Sequence, residues 1–468
     1  MQNTHTFNKA ILKQYDIRGI VEKELNEIDA YFVGKSYATA LQELNKKTCV
    51  IGYDARATSE PYSKEVIRGL TECGIDVINI GLVPTPVVYF AIHFLKKDAG
   101  LIITASHNPP EYNGFKMLTN EDPFWGNDIQ KLGSIAEKGE FYNFNTNNTK
   151  KGKVENINVK EDYFNFLLNL LNKNNKKKLK VCWDAGNGAV AAIIDDFVEK
   201  LPNENITICN TIDPTFPNHH PNPEIPENMK MLSEAVIKNK CDFGIGFDGD
   251  GDRIGVVDDE GYMLYGDQLL CIFAREYLKT NKGKKVMSEV TSSMILFDDI
   301  AKNGGIPVMW KPGHSILKAK MKLDNIKLAG ETSGHIFFGE NHNYDDASYA
   351  GIKLINILSN IDEKLSDIRK AFPVTYSTNK ISIKSNDVDK YAIPEAMYER
   401  LKLQGREKDV STVDGVRVKK ADGWWICRNS STGPQMTVRC EALSPEGLEE
   451  CKKEVKEQLN LSGYDITF

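Results

Sequence analysis

No two cysteines in this chain follow the C-x-x-C spacing, although nine are scattered along its 468 residues. The odd, scattered set fits free thiols in a reducing compartment rather than a disulfide framework. An apolar signal region is also missing, because residues 1–10 are polar. The expectation is therefore a cytoplasmic protein. No apolar run approaches bilayer-spanning length; residues 164–171 are broken by Asn165 and Asn169, so no membrane partner is expected. Nor is there an excess of basic residues. Lys and Arg number 59 against 65 Asp and Glu, a net charge of −6, which argues against a dedicated nucleic-acid binder. The lysine run over residues 172–180 reads as a solvated linker between a helix and a strand.

What the chain does contain is ordinary for a globular protein: 41% hydrophobic and 26% charged residues. Its length exceeds one core and implies about three or four domains. Short β-branched runs at residues 49–52, 77–80, 100–104, 181–183, 243–247 and 254–257 alternate with helical patterns such as 267–279 and 315–323. Such alternation predicts α/β units with mixed or parallel sheets, whose functional loops leave the carboxyl ends of strands. An Asn/Lys-rich stretch, a turn near Asp258 and the Phe372-Pro373 pair suggest boundaries. The predicted units are 1–152, 153–259, 260–371 and 372–468. The first three look like repeats of one architecture without repeating residues, and the last is mixed in pattern and reads as α+β.

Two loops carry the chemistry. In Thr104-Ala105-Ser106-His107-Asn108-Pro109 a serine follows an apolar run, and the prolines end regular structure. Backbone N–H groups of such a turn can hold phosphate oxygens. The bland reading is a capping turn. A hydrolase elbow is disfavoured because G-x-S-x-G is missing, and His107 is not the serine's base merely by adjacency. The second loop, Asp248-Gly249-Asp250-Gly251-Asp252-Arg253, packs three carboxylates between glycines. Carboxylates that close repel unless a cation sits among them. An EF-hand fails at Arg253 and Asp259, where Gly and Glu belong. The overlapping G-x-G-x-x-G of residues 244–249 is followed by acids that would repel a pyrophosphate. All-oxygen ligation points to Mg²⁺. A serine beside a hard-metal site suggests phosphoryl transfer.

In the company of other motifs, these loops resemble the α-D-phosphohexomutase superfamily, in its order and over nearly the whole chain. The motifs are Tyr15-Asp16-Ile17-Arg18-Gly19, Gly52-Tyr53-Asp54-Ala55-Arg56, Pro84-Thr85-Pro86, Asn113-Gly114-Phe115-Lys116, Asp184-Ala185-Gly186-Asn187-Gly188, Gly330-Glu331-Thr332-Ser333-Gly334-His335 and Arg428-Asn429-Ser430-Ser431-Thr432-Gly433-Pro434. The sugar-loop motif is most similar to the bacterial phosphomannomutase/phosphoglucomutase branch.

The resemblance implies three similar α/β domains with mixed sheets and a smaller C-terminal α+β domain around a central cleft. It implies Ser106 as the phosphoserine, and Asp248, Asp250 and Asp252 as Mg²⁺ ligands with the phosphoserine completing the site. Arg253 would orient the phosphoryl group, and Glu331 and Ser333 would grip sugar hydroxyls. Arg18, Lys116, His314 and His335 would line the cleft. Tyr15, Arg428, Ser430 and Thr432 would hold the phosphate that is not reacting. The implied activity interconverts hexose 1- and 6-phosphates of mannose or glucose, with a hexose 1,6-bisphosphate as activator, by a monomer or homodimer. The alternatives are a phosphoglucosamine mutase or a non-catalytic sugar-phosphate-binding protein. His219 and His220 read as a structural loop rather than metal ligands. One departure concerns Ser288-Glu289-Val290-Thr291: many members carry a basic residue near Thr291, and Lys318 or Lys311 would replace it. Ser431 stands where some members have Asn.

Overall fold

The computed structural model describes residues 4–120, 122–142, 150–386, 388–429 and 435–468. The first sheet is formed by β1 (Ile17–Ile20), β2 (Thr48–Tyr53), β3 (Asp76–Leu82), β4 (Ala99–Ile103), β5 (Tyr112–Thr119) and β6 (Val154–Asn156). Its order is β1-β5-β4-β2-β3-β6. Strands β2, β3, β4 and β6 run parallel, while β5 is antiparallel to both β4 and β1. The sequence runs at 49–52, 77–80 and 100–104 thus fall on β2, β3 and β4.

The second sheet holds β7 (Lys180–Asp184), β8 (Glu204–Ile208), β9 (Phe243–Phe247), β10 (Ile254–Asp258) and β11 (Met263–Leu264), ordered β11-β10-β9-β7-β8. The third holds β12 (Lys285–Glu289), β13 (Ile306–Trp310), β14 (Leu328–Gly330), β15 (Ile336–Phe338) and β16 (Tyr344–Asp345), ordered β13-β12-β14-β15-β16. Both sheets place their strands in the chain order second, first, third, fourth, fifth. Three parallel strands come first and two antiparallel ones follow. In the first sheet β3, β2, β4 and β5 repeat that order. The three units are one architecture used three times, without a residue-level repeat.

Two details differ from the sequence-based boundaries. Strand β6 pairs with β3, so the first sheet extends past residue 152. The turn after Asp258 is the hairpin joining β10 to β11, so the second sheet extends past residue 259. A turn marks the end of a strand, and it does not tell a hairpin from a linker.

The last sheet is antiparallel throughout: β17 (Tyr376–Ser377), β18 (Ile381–Lys384), β19 (Val410–Ser411), β20 (Val416–Lys419), β21 (Gly423–Asn429) and β22 (Gln435–Ala442). Helices Asp389–Leu403 and Pro445–Asn460 cover it through Met397, Leu401, Val455 and Leu459, which share one core with Trp425 and Val438. This domain docks on the segment after β12. The Glu441 carboxylate, buried, accepts from Ser293 Oγ, Met294 N and Trp424 Nε1, each at 2.9 Å. Arg417 and Arg439 donate to the carbonyls of Val290 and Thr291.

All nine cysteines are free, and eight are buried. Among the described residues no helix is long and apolar enough to cross a membrane.

In the first domain, helices Glu27–Glu43 and Ser59–Glu72 cross at glycines. A Cβ at Gly69 would lie 2.3 Å from the Tyr31 carbonyl oxygen, and one at Gly34 would lie 2.4 Å from that of Val66. Backbone cannot step aside as a side chain can. The clash therefore outweighs the roughly 1 kcal/mol that Ala contributes over Gly to a helix. Gly69→Ala should cost about 1–3 kcal/mol. A thermal scan should show its first unfolding transition at lower temperature than wild type; an unmoved transition would mean that the helices separate freely.

Candidate active site

Ser106 lies in the loop leaving the carboxyl end of β4, and it is 2% exposed. Its φ of 53° is in the left-handed region, a strain of order 1–3 kcal/mol for a residue with a Cβ. The surroundings enforce it. Ser106 N donates to Thr104 Oγ1 at 2.8 Å. The Arg56 guanidinium donates to four loop carbonyls, those of Ser106, Asn108, Pro109 and Tyr112. Asp54 pairs with Arg56 at 3.2 Å. The motif containing Asp54 and Arg56 was visible in the sequence; its task of stapling the serine loop was not.

The aspartate loop leaves β9 in the same way. Asp248, Asp250 and Asp252 are fully buried, with ligand oxygens within 4.8 Å of one another. Asp248 Oδ1 accepts from the backbone N–H of Gly251, Asp252 and Arg253, which folds the loop around that carboxylate. Glycine is needed at 249 because a Cβ there would lie 2.3 Å from the Ser106 carbonyl oxygen. The two loops thus meet backbone to backbone, and Ser106 Oγ donates to Asp248 Oδ2 at 2.7 Å. Thr85 fastens the acidic loop from outside, through its N–H to the Asp250 carbonyl and its hydroxyl to Asp250 Oδ2.

Lys116, on β5, donates to Asp250 Oδ2 at 2.7 Å and to Asp252 Oδ2 at 2.5 Å. Burial alone would lower its pKa, but the three aspartates raise it, so the ammonium stays charged. Asp250 is depressed: Lys116 and hydrogen bonds from Lys116, Thr85 and Ser106 outweigh burial. Asp250 Oδ1 and Asp252 Oδ1 remain buried with no hydrogen-bond partner. Unpaired buried carboxylate oxygens are costly, and two beside a third carboxylate fit a divalent cation. Hard oxygen donors suit such an ion.

The third loop leaves β14. The Glu331 carboxylate accepts Gly313 N at 2.7 Å, and burial first of all raises its pKa to about 7. Arg253 Nε donates to His335 Nε2 at 3.0 Å, which assigns the ring proton to Nδ1, 2.8 Å from Asp345 Oδ2. The His335 and His314 rings stack at 5.5 Å. Burial, then Lys318, holds His314 well below the usual histidine range, so it is neutral. Tyr15 donates to the Pro312 carbonyl beside it. Arg18 donates to Asn108 Oδ1 and pairs with Asp16.

The first three domains therefore bring Ser106, Lys116, the three aspartates, Arg253, His335, His314 and Glu331 close together, with Arg18 held beside the serine loop through Asn108. Ser333 is half-buried in the same loop as Glu331. Arg428 pairs with Asp414 on the fourth domain, while Ser430 and Thr432 lie outside the described residues, as does Ser431.

Comparison with known proteins gives the family. Residues 9–143, 161–261 and 265–376 match the alpha/beta/alpha domains I, II and III of phosphoglucomutase/phosphomannomutase, and 382–458 match its C-terminal domain. The chain belongs to the phosphoglucomutase/phosphomannomutase family. A phosphomannomutase/phosphoglucomutase of Pseudomonas aeruginosa is 37% identical over 455 residues, 97% of this chain and 96% of that protein. A phosphoglucomutase of Neisseria meningitidis is 36% identical over 448 residues, 95% of this chain and 96% of that one. The crystal structure of a phosphoglucomutase/phosphomannomutase family protein from Burkholderia thailandensis superposes with a TM-score of 0.91 at 31% identity, covering 98% of each chain.

Two histidines outside the sequence-derived set also take defined positions in this structure. His107 Nδ1 lies 3.3 Å from Ser106 Oγ, and burial followed by Arg253 and Arg18 keeps the ring neutral. Its adjacency in sequence said nothing of this; the left-handed turn at Ser106 creates it. His219 Nε2 pairs with Asp184 Oδ2 at 3.0 Å, tying its loop to the end of β7. The lysines considered as replacements near Thr291 are placed differently from each other. Lys318 is buried against Asp345 at 2.5 Å, and Lys311 is exposed after β13.

Asp248 titrates unusually. Burial, then Asp250 and Asp252, pushes it up to about 8. A dication bound among the aspartates must displace that proton. Affinity for a divalent cation should rise about tenfold per pH unit below this value and level off above it. Calorimetry at pH 7 in buffers of different ionisation enthalpy should detect close to one proton released per ion. Release of none would mean that Asp248 is already ionised.

Proposed function

We propose that this protein is a Mg²⁺-dependent phosphohexomutase that interconverts the 1- and 6-phosphates of glucose and mannose. The contact that carries the reading is Ser106 Oγ on Asp248 Oδ2, 2.7 Å apart. It puts a nucleophilic oxygen against three carboxylates suited to a dication. Bound there, Mg²⁺ offsets the charge of the phosphoryl group in transfer.

The chain's own residues do the rest. In the resting enzyme Ser106 carries a phosphoryl group. A hydroxyl of the incoming sugar phosphate attacks that phosphorus; the new O–P bond forms as the Ser106 Oγ–P bond breaks, and the proton lost by the attacking hydroxyl ends on the departing Ser106 Oγ. The resulting 1,6-bisphosphate turns over in the cleft and returns its other phosphoryl group to Ser106. On the return, the Ser106 hydroxyl proton needs an acceptor, and neutral His107 Nδ1 stands beside it. Lys116, held charged by its aspartates, acts electrostatically rather than as a base. Arg253, oriented by His335, faces the same loop. Glu331 and Ser333 hold sugar hydroxyls, while Tyr15, Arg428, Ser430 and Thr432 hold the distant phosphate.

Incubation with glucose 1,6-bisphosphate should add one phosphate, placed on Ser106 by peptide mass analysis. Ser106→Ala should lose most turnover yet bind glucose 1-phosphate. Phosphate found on a different residue would end this mechanism. Excess chelator should abolish turnover and added Mg²⁺ restore it.

Specificity follows from the hydroxyl grip. Glucose and mannose differ at C2, so ligands to O3 and O4 meet both sugars alike. Galactose inverts C4 and would leave a buried partner unpaired, at about 1–3 kcal/mol. Its 1-phosphate should be used about 10- to 100-fold less efficiently. Comparison of kcat/KM for the 1-phosphates of glucose, mannose, galactose and glucosamine decides the matter. Equal use of galactose would remove the O4 grip, and a preference for glucosamine would make this a phosphoglucosamine mutase.

A further inference from the structure

A phosphate dianion bound between the third and fourth domains needs cations there, and Thr291 brings none. Thr291 Oγ1 instead donates to Glu289 Oε2 at 2.6 Å. Around this point the described cations are largely committed. Arg417 is buried, stacks on Trp424 and donates to Val290 O. Arg439 donates to Thr291 O at 2.5 Å. Lys318 is sealed against Asp345.

Lys380 is different. It directly precedes β18, whose Ile381 pairs with Val438 of β22, so it lies across from Arg439, which touches Thr291. Its side chain is 42% exposed, and its Nζ reaches out of the fourth domain to Glu224 Oε1 of the second at 2.6 Å. Charge interactions couple the ammonium to Glu224 first and then to Glu289, while Arg428 acts on Glu289 as well. A half-exposed ion pair is weak, and a phosphate dianion is a stronger partner for an ammonium than one carboxylate.

We propose that Lys380 grips the non-reacting phosphate of the substrate, supplying from the fourth domain the cation that Thr291 lacks on the third. The inference rests on the phosphohexomutase reading for the identity of the ligand. Before the ligand arrives, Glu224 holds the lysine at the cleft edge. On binding, Nζ exchanges Glu224 for phosphate oxygens, and no covalent change is involved.

The test is a charge relocation. Lys380→Ala should weaken glucose 1-phosphate binding about 10- to 100-fold, the loss of one charge-assisted contact. Lys380→Arg should retain most affinity. Thr291→Lys placed in the Lys380→Ala background should recover at least half of the lost affinity on a logarithmic scale. Unphosphorylated glucose provides the control, and its weak binding should not respond. Lys380 is exposed, so the thermal transition should not move. Wild-type affinity in Lys380→Ala overturns the proposal, and so does a loss that Thr291→Lys fails to restore. Binding is read by calorimetry, independently of turnover. A wild-type protein that binds hexose phosphates through Lys380 without isomerising them would refute the mutase reading and leave this one standing.

Discussion

Three buried carboxylates within five residues cannot be left to themselves, and the seam between the first two domains is organised around that constraint. Asp248 takes three backbone N–H groups from its own loop. Asp250 and Asp252 take Lys116 from the neighbouring domain. Thr85, also from the first domain, secures Asp250. The first domain thus lends the second a cation and two hydroxyls, those of Thr85 and Ser106. Burial without these partners would cost several kcal/mol per charge. The arrangement fixes how the two sheets face each other, and Gly249 against the Ser106 carbonyl sets how close they come.

Topology explains why three unlike chemistries meet. In each α/β unit the site loop joins the third strand to the antiparallel fourth: β4 to β5, β9 to β10, β14 to β15. The serine, aspartate and Glu331 loops are therefore one structural position, occupied three times with different residues. Functional loops at the carboxyl ends of parallel strands are general for such folds. Here three copies face a common centre, so a serine loop, an aspartate loop and the Glu331 loop are brought together by one repeated topology.

The strands were legible because β-branched runs bounded by glycine and proline define them locally. The alternating Asp-Gly pattern was legible as a cation cradle, since glycine between carboxylates has little other use. Compensation of charge was not legible, because it is non-local. The Ser106 to Asp248 bond spans 142 positions, and nothing in the spacing pairs Lys116 with two aspartates. Arg56 sat in a quoted motif with no task until its four carbonyl partners came together around it. The turn after Asp258 that suggested a boundary near 259 joins β10 to β11 within one sheet. At Thr291 the sequence displayed a missing charge, and it could suggest nearby lysines only; Lys380 lies far along the chain and next to Arg439 only through the pairing of β18 with β22.

The docking of the fourth domain has a mechanical meaning. Its hold on the third is concentrated on one short segment, where Glu441 collects three donors and Arg417 and Arg439 take the carbonyls of Val290 and Thr291. A body fastened along one edge swings rather than slides. Any rotation of the fourth domain turns about that segment, leaving the groups at the axis nearly still and sweeping those at the rim through the longest arc. Lys380, across the sheet from Arg439, lies close to that axis, so its pair with Glu224 of the second domain shifts little as the fourth domain turns.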